Sequence, residues 1–185
     1  MIKGFFYASI PWERTYYLIF VIQLNALPMK ITLICIGKTD DQHMVKGIEI
    51  YTKRLKHYVN FQIVAIPDIK NSKNLSESQQ KEKEAQLLLK NCSNQDFIIL
   101  LDERGKEYSS MEFSAFLEKQ MISSVTHLVF MIGGPYGFDD TVYQRANAKI
   151  SLSRMTFSHQ MVRLFFVEQI YRAYTIMRGE PYHHE

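Results

Sequence analysis

The sequence predicts an α/β fold, a parallel sheet with helices on both faces. Three observations predict it. From Met29 onward, short apolar runs alternate with amphipathic stretches. Those runs are apolar throughout rather than at every second position, as in strands covered on both faces. Finally, 185 residues with 46% hydrophobic and 22% charged side chains form an ordinary globular chain, long enough to bury one core.

Each element has its own signal. Residues 31–36 (ITLICI) read as a buried strand stopped at Gly37. Over 44–59, Met44, Ile48, Tyr51, Leu55 and Tyr58 share one helical face, with Lys46, Lys53, Arg54 and Lys56 on the rest. Residues 61–66 (FQIVAI) form a second strand, ended by Pro67. Ser76 with Gln79 three residues on is a capping box opening a helix over 77–91. Residues 97–101 (FIILL) make a third strand, closed by the loop Asp102-Glu103-Arg104-Gly105. A helix over 110–122 follows, with Met111, Phe113, Phe116, Leu117 and Met121 apolar.

The fourth strand, 127–132 (HLVFMI), runs into Gly133-Gly134-Pro135-Tyr136-Gly137. A short helix over 139–147 and a brief strand over 149–152 lead to Ser158, which can cap a long helix over 159–178. That last helix is apolar around much of its circumference, which predicts packing on two sides, with a second subunit as one candidate neighbour.

Residues 1–28 read differently. Lys3 and Arg14 precede an apolar stretch from Tyr16 to Leu27, too short to span a bilayer and not followed by an A-x-A-like cleavage site. The reading is an N-terminal extension before a single domain over 29–185, with Met29 as the natural start, in a cytoplasmic protein with no membrane partner. Cys35 and Cys92 are too few for a disulfide framework, and no Cys/His spacing fits a metal site.

Charge is uneven. The net +3 resides entirely in residues 141–185, where Arg145, Lys149, Arg154, Arg163, Arg172 and Arg178 face only Glu168, Glu180 and Glu185. A local basic surface suits a polyanion such as RNA, although a solvated helix face accounts for it equally well.

In a parallel sheet, ligands bind beyond the carboxyl ends of strands, which here means the loops 101–105, 133–137 and 151–157. The glycine turn is neither GxGxxG nor a P-loop, and no G-x-S-x-G nucleophile elbow is present. The tail Tyr182-His183-His184-Glu185 places two imidazoles, which can move protons at neutral pH, beside a phenol that can stack on a base. Glu168 and Arg172 are spaced for an ion pair on one helix face, and His159 reads as a surface or capping neighbour.

Four motifs together carry a resemblance: LDERG (101–105), IGGPYG (132–137), SLSRMTFSHQMVR (151–163) and VEQIYRAYTIMRGEPYHHE (167–185). From Met29 to Glu185 the chain resembles the RlmH family, bacterial ribosomal large subunit methyltransferases H of the SPOUT superfamily. The resemblance implies an alpha/beta knot, with the C-terminal segment threaded into a deep trefoil. It implies transfer of a methyl group from S-adenosylmethionine to N3 of a pseudouridine in 23S rRNA, on the assembled ribosome, by a homodimer without a metal.

Carried over to this sequence, the cofactor residues are Leu101, Gly133, Leu152, Ser153, Arg154, Met155, Thr156 and Phe157, with Gly105, Gly134 and Gly137 shaping the loops. Tyr182 would position the base and Arg172 would hold a phosphate or a uracil oxygen. His183 or His184 would accept the N3 proton. Tyr136 stands where the family often has a more polar residue, and residues 1–28 have no counterpart. The rival expectations are an RNA-binding module without cofactor affinity and a nucleotide-binding α/β enzyme of another kind.

Overall fold

The computed structural model describes residues 29–69, 72–123 and 125–183. The expectations for residues 1–28, His184 and Glu185 lie outside them. Five parallel strands form one sheet in the order β2-β1-β4-β3-β5, with β1 at Lys30–Ile36, β2 at Asn60–Ile66, β3 at Phe97–Glu107, β4 at His127–Ile132 and β5 at Ala148–Ser151. The helices are α1 (Gln42–Leu55), α2 (Glu77–Lys90), α3 (Ser110–Ile122), α4 (Asp140–Arg145) and α5 (His159–Met177).

The sheet divides two apolar layers, because successive side chains on a strand point to opposite faces. Ile31, Leu33 and Cys35 of β1, with Leu128 and Phe130 of β4, face α1, α3 and α5. Ile34, Ile36, Val129 and Met131 face α2 and α4. The helix starts are chemically marked. Asp41 accepts from the N–H groups of His43 and Met44, Ser76 and Gln79 form the expected capping box, and Ser109 with Glu112 forms another.

The apolar circumference of α5 is largely used within the chain. This helix lies on the sheet between α1 and α3, with Phe166, Val167, Ile170, Ala173 and Tyr174 buried. Phe166 packs on Phe130 at 4.6 Å between ring centroids. Gly47 lets α1 approach closely, since a Cβ there would lie 2.9 Å from Leu164 Cδ1.

Most ends fall within a residue or two of the sequence reading, and two do not. Helix α1 stops at Leu55 rather than at 59, because β2 begins at Asn60 in register with Lys30 and the chain must turn before it. Strand β3 runs on through the expected loop to Glu107. Its ladder with β5 breaks after Leu101 and resumes at Lys106, both residues facing Ile150. Gly105 makes this possible. Any Cβ at that position would sit 2.4 Å from the Ile150 carbonyl carbon.

Candidate cofactor cleft and C-terminal cluster

The carboxyl ends of β3, β4 and β5 open into one cleft of about 500 Å³, a size suited to a small-molecule ligand. Its walls come from the β3 extension, the glycine turn and the segment after β5. Seven of the eight expected cofactor residues line it: Leu101, Gly133, Leu152, Ser153, Met155, Thr156 and Phe157. Arg154 does not. Its side chain is 90% exposed and 4.0 Å from the carboxylate of Glu107, a solvent-screened pair of little energetic consequence.

Local chemistry shapes each wall. In the glycine turn, the Gly137 N–H donates to the Gly134 carbonyl at 3.1 Å, and Gly137 sits at φ 77°, a conformation that favours glycine. A Cβ on Gly133 would come within 3.1 Å of the Gly137 oxygen and 3.3 Å of the Phe138 ring. After β5, Ser151 Oγ donates to the Ser153 carbonyl and Ser153 Oγ accepts from the Met155 N–H, both at 2.9 Å. In the β3 wall, Asp102 accepts from the Arg104 N–H at 2.7 Å and from the Tyr143 hydroxyl at 2.5 Å. Burial, then the bond to Asp102, pushes the Tyr143 phenol up to about 12, so it remains a donor.

Two side chains of α5 tie the start of that helix to β1 and the loop that follows it. Gln160 Oε1 accepts from the N–H groups of Asp40 and Asp41 at 3.0 and 2.9 Å. Arg163, 2% exposed, donates to Thr39 Oγ1 at 2.9 Å and to the Ile36 carbonyl at 2.6 Å. His159, read as a surface or capping neighbour, lines the cleft.

The expected catalytic side chains gather elsewhere. Arg172 donates twice to Glu168 Oε1, at 3.1 and 2.6 Å, which is the helix-face ion pair that the spacing allowed. Tyr182 donates to Glu168 at 3.0 Å, lies 3.2 Å from the Tyr51 hydroxyl, and sits under the Arg172 guanidinium. Burial, Tyr51 and Glu168 all raise the Tyr182 phenol, so it stays protonated. His183 Nδ1 is 3.3 Å from Arg172 Nη1. Arginine only donates, so this contact makes Nδ1 the acceptor and leaves the imidazole proton on Nε2. Arg172 lies thirteen residues after His159, about 20 Å along α5 at 1.5 Å per residue.

A second hollow of about 300 Å³ lies between the two groups. Tyr108, Phe157 and Phe165 supply aromatic walls, Glu168 and Gln169 supply polar edges, and Ile150 to Leu152 with Phe157 form a wall shared with the cleft. Sequence reasoning missed Glu168 as the hub of the cluster and Tyr143 as a support of the cleft. Only the spacing of Glu168 from Arg172 signalled the first.

Among the described residues, no helix is long and apolar enough to cross a membrane, and no three His, Cys, Asp or Glu side chains are grouped to hold a metal.

Comparison with known proteins gives this geometry a context. The family profile described as "Predicted SPOUT methyltransferase" matches residues 29–183. Proteins named "Ribosomal RNA large subunit methyltransferase H" are similar over most of their length. The one from Flavobacterium johnsoniae is 61% identical, covering 85% of this chain and 100% of its own. That from Parabacteroides distasonis is 60% identical over the same shares. That from Christiangramia forsetii is 57% identical, covering 84% of this chain and 99% of its own. A family-wide match and relatives of this similarity, on a parallel α/β sheet with one cleft at its carboxyl ends, lead to one conclusion: the chain belongs to the SPOUT methyltransferase family, among the ribosomal RNA large subunit methyltransferases H.

Proposed function

We propose that the protein methylates N3 of a pseudouridine in 23S rRNA, with S-adenosylmethionine as methyl donor, as a cytoplasmic homodimer acting on the assembled ribosome. The observation that carries the reading is the convergence of three strand-end loops on one cleft lined by seven of the expected cofactor residues. The cleft fits such a group. Its glycine turn brings the chain's backbone to the cleft wall, where an adenine edge could meet it, while Leu101, Leu152 and Phe157 offer apolar cover for the ring. The bound cofactor would supply an electrophilic methyl group on a sulfonium.

The chain's own residues would orient and deprotonate the other reactant. The aromatic hollow has room for a nucleobase one wall away from the cleft. Arg172 and Tyr182 of a second copy, held in each chain by Glu168, would meet the uracil oxygens, and a histidine of that copy's tail would take the N3 proton. The position of the cluster, about 20 Å along α5, favours a site completed by the tail of a second copy. The threading of the last segment into a trefoil belongs to the same reading.

Calorimetry with S-adenosylmethionine on the full chain tests the cofactor. Binding in the micromolar range, lost in Gly133→Val, is the expected result. A folded dimer with no affinity would favour the RNA-binding module instead. For the tail, His183→Ala and His184→Ala, separately and together, should lower turnover on ribosomes, and intact turnover in the double variant would remove both from the mechanism. Short naked RNA should be a poor substrate, because so small a protein reads folded shape rather than sequence.

A further inference from the structure

We propose that Glu84 is a positioning residue for the cofactor cleft: its buried carboxylate, on the inner face of α2, holds the Gly133–Gly137 turn in place through the backbone of Gly134. The proposal rests on the reading that this cleft takes S-adenosylmethionine.

Helix α2 is a polar helix, and most of its charged side chains are solvated. Glu84 is the exception, 3% exposed and buried beside Ala85 and Leu88. Its carboxylate lies directly beneath the turn. A Cβ built on Gly134 would sit 2.3 Å from Oε2 and 2.5 Å from Oε1. The carboxylate thus occupies the space that any side chain at 134 would need, and Gly134 and Glu84 form one unit. One turn earlier on α2, the Gln80 side-chain amide donates to Oε1 at 2.9 Å, while Lys81 reaches the cleft itself.

A carboxylate is a costly choice for this place. Oε2 is buried and has no hydrogen-bond partner among the described residues, a state that ordinarily destabilises a core. Burial raises the carboxyl's pKa and the nearby Asp68 adds to this, while Gln80 and the Gly134 N–H work against it. An apolar residue would pack there at lower cost, as Ala85 and Leu88 do next to it. What an apolar residue could not do is hold its tip against the Gly134 backbone through a bond to Gln80. Glu84 fills the hollow under the turn and opposes its collapse away from the cleft, where misplacement by about an ångström is enough to weaken binding.

The test combines a ligand-free and a ligand-dependent readout on the full chain. Hydrogen exchange at the Gly134 and Gly137 amides reads the turn itself. Glu84→Ala should speed it by about tenfold or more, and Glu84→Gln, with the same shape and one acceptor, should restore it to within about threefold. Calorimetry with S-adenosylmethionine should follow the same order, with the dissociation constant rising about tenfold in Glu84→Ala. A thermal-melting cycle reads the contact. Gly134→Ala should lower the melting temperature sharply in the native background and much less in Glu84→Ala, where the vacated space admits the methyl group. Unchanged exchange in a folded Glu84→Ala protein, failure of Gln to restore it, additive melting shifts, or faster exchange with unaltered affinity would each overturn the proposal. If the native chain itself binds no S-adenosylmethionine, the cofactor reading fails, and exchange and melting still decide whether Glu84 holds the turn.

Discussion

Glu84 and Gly105 show how two residues can be placed by what lies far away in sequence. Nothing local separates Glu84 from Glu77 or Glu82 in the same charged run. Its burial is decided by where the turn after β4 lands, some fifty residues later. Because its folded pKa is raised, folding favours the protonated form. The stability linked to this group is therefore fully present below the ordinary value of 4.5 and declines as pH rises through the folded value. Thermal unfolding across that range should show a slope in the native protein that flattens in Glu84→Gln. Gly105 was legible as a loop glycine but not as the point where β3 presses on β5. With Ile150 backbone 2.4 Å from any Cβ, Gly105→Ala should cost more than about 3 kcal/mol or prevent folding, read by chemical denaturation.

At the scale of elements, the signals that worked were local. The capping box at Ser76 and Gln79, the terminating Gly37 and the apolar runs of the three inner strands each lie within a few residues of what they specify. The failures were non-local. The 56–59 stretch continues the helical pattern of α1, and only pairing of Asn60 with Lys30 ends the helix earlier. The LDERG loop reads as a turn, and only the ladder to β5 makes it an extension of β3. Helix α5 carries the energetic weight of one face. Phe166→Ala removes a ring fully enclosed between Phe130 and Phe113, and should destabilise by about 3–5 kcal/mol in equilibrium unfolding.

For the whole molecule, the three loops that line the cleft were legible because they lie at strand ends, the usual place for ligands in a parallel sheet, whereas the individual residues proposed for the cofactor came from the resemblance. The residues proposed for base positioning and proton transfer were signalled only by an unusual tail composition and the resemblance. Their separation from the cleft emerges from the length of α5, which no motif records. A tail that gathers far from the cleft of its own chain is productive if a second chain brings another tail to that cleft. Sedimentation equilibrium should therefore return twice the 21.8 kDa of the chain, and a monomer with full turnover on ribosomes would exclude a shared site.

The 19-residue helix between cleft and tail also acts as a gauge. A single residue inserted between Arg163 and Glu168 would lengthen it by only about 1.5 Å, but would rotate everything beyond by about 100°. Arg163 would remain tied to β1 while Arg172, Tyr182 and His183 swung onto a different side of the molecule. Loops elsewhere in the chain can gain or lose residues and leave both halves of the site in phase. This helix cannot, so the angular setting of the tail is written in a residue count.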